Sequence, residues 1–142
     1  MMLLDANLLL YAYDSLSPFH LRAKTWAQQV MAKKEHIGLA WIAILAFLRV
    51  STQPRAQRLP SLADAISAME DWLEHPSVSI VNPGERHWEI LRKLLPDSQA
   101  RGPLVMDAHL AALAIEHGAT LCTNDKDFTR FRGLKILNPL EG

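Results

Sequence analysis

The stretch LVMDAHLAALAIEHGATLCTND, residues 104 to 125, decides the fold. Its first part carries Ala108, Ala111, Ala112 and Ala114, a strong helix-forming run, and Gly118 supplies the left-handed residue that ends such a helix. Thr120 to Thr123 then reads as a short buried strand, and Asn124-Asp125 as the turn that leaves it. A helix closing directly into a short apolar strand is the alternation of an α/β domain.

Working outward, the same alternation recurs. Met2 to Asp5 is an apolar run ending in an acid, followed by Asn7 as the cap of a short helical turn over Leu8 to Tyr13. Ser17-Pro18 starts a long helix that ends at Lys33-Lys34, and His36 to Ala40 is a second strand running into a helix from about Ile42 to Ser51. Gln53 to Pro60 is a turn-rich basic loop with Arg55 and Arg58, and Ser61 with Asp64 caps a helix to Glu74. Val78 to Val81 is a third strand, a turn at Asn82-Pro83-Gly84 precedes a helix from about Glu85 to Leu95, and Pro96 to Pro103 is a loop. Beyond residue 125, Lys126 to Phe131 forms a short helix and Leu134 to Leu137 a fifth strand. Five short strands separated by helices predict an α/β domain with a mainly parallel sheet and helices on both faces.

With 142 residues, 49% apolar and 21% charged, the chain reads as one globular domain, 1–142, and excludes disordered or low-complexity classes. Fifteen basic and fifteen acidic residues cancel, so a strongly basic nucleic-acid binder is excluded and any hold on a polyanion must be local. The single cysteine, Cys122, admits neither an internal disulfide nor a cysteine-built zinc site. The longest uncharged apolar stretch, Ile37 to Leu48, falls short of the ~20 residues of a membrane span. With no basic segment ahead of Leu8 to Leu10 to mark a secretory signal, a cytoplasmic location is expected. No phosphate-binding loop of the G-x-x-x-x-G-K-[ST] form occurs, which argues against an NTPase.

Three acids occupy special places: Asp5 closes the first strand, Asp125 follows the fourth, and Asp107 opens the alanine-rich helix. Ligands bind parallel sheets at the carboxyl ends of strands, where the strand order reverses. If strands one and four meet there, the three acids converge. Clustered carboxylates repel, and a divalent cation offsets that cost. An oxygen-only donor set without cysteine or paired histidines suits Mg²⁺ or Mn²⁺, ions that organise phosphodiester hydrolysis by water. Taken singly, each acid has a structural role open to it: a strand-end turn for Asp5, a dipole-favoured acid for Asp107, a cap for Asp125 or Asp127.

Four blocks, Leu3-Leu4-Asp5-Ala6-Asn7-Leu8-Leu9, Trp41 to Val50 with Phe47-Leu48-Arg49, Val105-Met106-Asp107-Ala108-His109-Leu110-Ala111 and Thr123-Asn124-Asp125-Lys126-Asp127-Phe128, together resemble PIN-domain ribonucleases, most of all VapC toxins of toxin–antitoxin modules. The resemblance covers the whole chain in order. It implies a three-layer α/β/α domain, an acidic pocket binding Mg²⁺ or Mn²⁺, endonucleolytic cleavage of RNA, a homodimer and a VapB antitoxin partner. It also implies that Asp5, Asp107 and Asp125 are the catalytic and metal-site acids, with Asn7 and Thr123 as polar neighbours and Asp127 as a secondary candidate. The family commonly carries a glutamate just before Phe47-Leu48-Arg49, where this chain has Ala46, and no acid occurs from His36 to Ala63.

Two other readings compete. An aspartyl-phosphate phosphoryl-transfer enzyme would place an acid where Asn7 follows Asp5, and a catalytically impaired binding module would account for Ala46. His109, about 200° around its helix from Asp107, should point away from the acids, and no spacing among the histidines suggests a pair. Trp26, Trp41, Trp72 and Trp88 fit core or dimer packing, and Cys122 a buried apolar site. Arg49, Arg55 and Arg58, and Lys126, Arg130, Arg132 and Lys135, are the local basic groups able to hold phosphates.

Overall fold

A computed structural model describes residues 1–53 and 61–141; Arg55 and Arg58 of the basic loop lie outside the described residues. Five strands, β1 (Met2–Leu4), β2 (Ile37–Ala40), β3 (Val78–Val81), β4 (Thr120–Cys122) and β5 (Lys135–Leu137), form a wholly parallel sheet in the order β3-β2-β1-β4-β5. The helices are α1 (Ala6–Tyr13), α2 (His20–Ala32), α3 (Trp41–Ser51), α4 (Leu62–Glu74), α5 (His87–Ser98) and α6 (Leu104–Glu116), with a 3-10 helix over Lys126–Arg130.

The central strands β1, β2 and β4 are short because they are buried almost throughout and need only three or four residues to cross the core, whereas the edge strands β3 and β5 are largely exposed. Alternate side chains leave on opposite faces. Leu4, Leu39 and Cys122 enter a core with α1, α2, α3 and α4. Leu3, Ala40 and Leu121 enter a second one with α5 and α6. The result is the expected three-layer arrangement. Its middle is tightly packed: a Cβ on Gly38 of β2 would come within 2.6 Å of the Val81 side chain. On α6, the buried run Ala108, Ala111, Ala112 and Ala114 lets this helix lie close to the sheet. Gly118 ends it with φ of 63°, as the sequence requires.

Three boundaries differ from the sequence reading. Asn7 does not cap α1; Asp5 occupies that position and Asn7 lies in the first turn, because the chain turns helical directly after the last residue of β1. Residues from Ser17 to Phe19 form a turn, held by the Ser17 hydroxyl accepting from the Phe19 amide at 3.1 Å, and α2 starts at His20. Helix α5 continues through Pro96 to Ser98. Proline in a last turn forfeits one helical hydrogen bond, and the Ser98 hydroxyl, donating to the Leu94 carbonyl at 2.6 Å, helps hold that turn. The tryptophans divide: Trp72 is buried and Trp26 packs against the core, whereas Trp41 and Trp88 are exposed. Helical spacing identifies a stripe but not what, if anything, covers it.

Candidate metal centre

The chain lays down β1, β2 and β3 in one direction across the sheet, then returns to the other side of β1 with β4. That reversal places the carboxyl ends of β1 and β4 side by side, with Leu3 opposite Leu121 and Leu4 opposite Cys122. A crevice opens at such a point. The residue after each strand therefore projects into it: Asp5 after β1, and Thr123 two residues before Asp125 after β4.

Thr123 is the keystone of the crevice. It is 1% exposed, its hydroxyl donates to Asp5 Oδ2 at 2.7 Å, and the same oxygen accepts from the Asp125 amide at 3.0 Å. The Asp5 amide in turn donates to the Cys122 carbonyl at 3.0 Å, so the two strand ends are stitched together by backbone and side chain. Asp125 Oδ1 accepts from the Asp127 amide at 2.9 Å and caps the 3-10 helix. The Asn138 amide donates to Asn124 Oδ1 at 3.0 Å, tying the acid-bearing loop to the segment after β5. Sequence reading missed Asn138, since only the sheet order makes residues 124 and 138 neighbours.

Oxygen atoms of Asp107, Asp125 and Asp127 lie within 4.8 Å of one another. Asp107 reaches them from the first turns of α6, half-buried, while Asp127 is exposed. Asp127, a secondary candidate by sequence, thus joins the tightest group, and Asp5 stands outside that trio yet within its electrostatic field. Burial raises the Asp107 carboxyl to about 6, with the charges of Asp125, Asp5 and Asp127 adding to the shift and Arg130 opposing it. Burial likewise pushes Asp5 above the ordinary carboxylate range, against the Thr123 hydroxyl and the amide of Ala6, with Asp125 adding to the rise. The observed placement of Asn7 is half-buried in the first turn of α1.

Arg130 donates to the Ser98 carbonyl at 3.3 Å, at the carbonyl end of α5, which fixes a cation near the acids. His109 packs against α5, where its Nδ1 lies 3.0 Å from His87 Nε2. That pair joins residues 22 apart through helix packing and leaves no spacing signature. Cys122 is fully buried, and burial raises its thiol to about 12, which leaves it an inert core residue.

The switch point of the β3-β2-β1-β4-β5 sheet thus carries an oxygen-only trio of aspartates with Asp5 beside it. A family model for the PIN domain matches residues 2–134. The chain belongs to the PIN-domain family. Over 143 residues this PIN domain is 42% identical to ribonuclease VapC37 of Mycobacterium tuberculosis, a match spanning 98% of this chain and 97% of that protein. Ribonuclease VapC33 of the same species is 39% identical over 141 residues, spanning 99% of each. Among solved structures, VapBC2 of Rickettsia felis, crystallised with a DNA fragment from its promoter, shares the PIN-domain fold with a TM-score of 0.70 at 19% identity, covering 96% of this chain and 97% of that one. Among the described residues, no helix of this PIN domain is long and apolar enough to cross a membrane.

Proposed function

We propose that this PIN domain is a divalent-metal-dependent endoribonuclease and the toxin of a toxin–antitoxin pair. The observation that carries the reading is the convergence of Asp107, Asp125 and Asp127 within 4.8 Å, coupled to Asp5. Oxygens on opposite sides of a six-coordinate Mg²⁺ are about 4.2 Å apart, so a trio within 4.8 Å of one another reaches such an ion by small side-chain rotations. The donor set is wholly hard oxygen, and burial together with the charges of Asp125, Asp5 and Asp127 raises the affinity of Asp107 for a proton, which a cation would replace.

In this reading Asp5, Asp107 and Asp125 hold Mg²⁺ or Mn²⁺ and are the catalytic acids. Asp127 makes up the fourth carboxylate in a chain that has Ala46 where related proteins commonly carry an acid. When bound, the ion supplies activation of water and neutralisation of charge on the phosphodiester. The chain's own groups do the positioning. Thr123 fixes the Asp5 carboxylate by its hydroxyl, Asn7 supplies a polar neighbour at the start of α1, and Arg130 offsets part of the negative charge. The names of the ribonuclease relatives support RNA as substrate, and the VapBC assembly of Rickettsia felis supports an antitoxin partner. A homodimer is part of the same proposal.

Ala46 favours a second reading, a binding module that has lost activity. Calorimetry and RNA cleavage separate the two. We expect Mg²⁺ or Mn²⁺ to bind at millimolar concentration or below and to support cleavage that Asp107→Asn abolishes. Absence of metal binding and of cleavage in the wild-type chain would favour the inactive module.

A further inference from the structure

The trio of acids is unevenly supported. Asp107 stands on α6, a thirteen-residue helix packed on the sheet, whereas Asp125 and Asp127 stand on a loop and a five-residue 3-10 helix. A carboxylate on a loop gives up freedom when it takes an ion, and any group that fixes the loop beforehand removes that cost. Thr123 does so from the side of β1. On the other side the loop faces β5, an edge strand of three residues bonded to the sheet through β4 alone. A strand end of that kind frays unless something holds it.

This end is held. The Thr123 amide donates to the Leu137 carbonyl at 3.0 Å, so the pairing of β4 with β5 runs on past Cys122 and Leu137 and sets Asn138 beside the acid-bearing loop. The Asn138 side-chain oxygen accepts from the Leu140 amide at 3.0 Å, and its carbonyl accepts from the Glu141 amide at 3.4 Å. With Pro139 of fixed φ between them, residues 138 to 141 make a tight turn. The turn is anchored in its own right. Leu140 is 3% exposed, in the core with α1 and α2, and its carbonyl accepts from the Arg22 guanidinium of α2 at 2.8 Å. With its oxygen committed to the turn, the Asn138 amide nitrogen donates to Asn124 Oδ1 at 3.0 Å, and Asn124 adjoins Asp125.

Resting on the metal-centre reading above, we propose that Asn138 is a positioning residue for that centre. Through Asn124 it holds Asp125, and through the Asp125 cap of the 3-10 helix it holds Asp127, near the spacing a divalent cation needs. Its own place is fixed by the anchorage of the turn on α2. Asn138 acts on the acids only through Asn124 and takes no part in the chemistry.

The test measures Mn²⁺ binding to the full chain by calorimetry and by electron paramagnetic resonance. Asn138→Ser separates bracing from folding: a serine hydroxyl still accepts from the amide two residues on, so the turn survives, but it is too short to reach Asn124. Its melting temperature should stay close to wild type while the Mn²⁺ dissociation constant rises about tenfold. The Mg²⁺ concentration that half-saturates RNA cleavage should rise by the same factor, with kcat at saturating Mg²⁺ within about threefold of wild type. In the metal-free chain the Asp125 amide should exchange with solvent about tenfold faster, with the amides of β1 unchanged. Asn124→Ala leaves the turn untouched and keeps the test readable should Asn138→Ser disturb it. It should match Asn138→Ser, and the double variant should lose no more than either, because both remove one bond. Arg22→Ala, which frees the Leu140 carbonyl, should raise the dissociation constant about threefold.

Wild-type Mn²⁺ affinity in the Asn138→Ser chain overturns the assignment, and so does a double variant whose losses multiply. A lowered melting temperature with unchanged affinity makes Asn138 a tail residue only and equally sinks it. An unchanged constant in Arg22→Ala overturns the anchorage on α2. A wild-type chain that binds neither Mn²⁺ nor Mg²⁺ refutes the metal-centre reading itself, whereas metal binding by wild type and Asn138→Ser alike refutes the role of Asn138 alone.

Discussion

The two walls of the cavity that Asp5 and Asp107 line with α3 are built on opposite plans. On the acid wall, donors and acceptors are bound in series: Asp125 amide to Thr123 hydroxyl to Asp5 carboxylate, with Asp127 and Asn138 bracing the loop. On the α3 wall, Ile42, Leu45, Ala46 and Arg49 make no side-chain hydrogen bond among the described residues. Directional charges must be held within a fraction of an ångström to share an ion, whereas apolar contact has no preferred direction. One wall is braced by a series of hydrogen bonds and the other by apolar packing alone.

The contrast is sharpest in activity. Asp5→Asn and Asp125→Asn are each expected to lower RNA turnover about a thousandfold or more, the equivalent of several kcal/mol of lost charge stabilisation, while circular dichroism stays native. Leu45→Ala, on the opposite wall, should cost less than about tenfold. Equal losses from both walls would erase the division. Next in size is Thr123→Val, which strips Asp5 of its hydroxyl donor and the Asp125 amide of its acceptor. It should weaken Mg²⁺ binding about 10- to 100-fold by calorimetry, with Thr123→Ser close to wild type.

Proton competition gives a graded test. Because Asp107 is raised from 3.8 to about 6, cation binding must displace its proton below that pH, so Mg²⁺ affinity should fall about tenfold per pH unit there and level off above it. The smallest effect concerns stability without metal. A carboxyl whose folded value is raised binds its proton more tightly in the folded chain. Stability is therefore fullest below pH 3.8 and declines as pH climbs through about 6. Asp107→Asn removes that decline. The chelated variant should be more stable than wild type by about 1 kcal/mol at pH 7.5, allowing for screening by solvent, and urea titration at pH 7.5 and 3.5 would show whether the gain vanishes in acid.

Much of this was legible from the chain. The alternation of helices with short apolar runs, and the glycine closing the Ala108 to Ala114 helix, specify a parallel α/β sheet because local propensity and burial pattern agree there. The four acids could be named because each follows or opens an element at the sheet end where crevices form. Their grouping could not. Asp127 looked secondary beside Asp5, yet the 3-10 helix folds it toward Asp107, a matter of a few dihedral angles. Asn138 and the His87–His109 pair were invisible, since each depends on elements meeting in space, and Trp41 and Trp88 carried the same helical spacing as the buried Trp72.

By itself, then, the order of residues determined the layered architecture and the oxygen chemistry of the pocket, because periodicity and side-chain type act locally. Only the tertiary structure decided which acids come together and that Ala46 and Arg49 line one cavity with Asp5 and Asp107. Distances between residues far apart in the chain are set by how helices and strands pack, and packing is a property of the whole molecule.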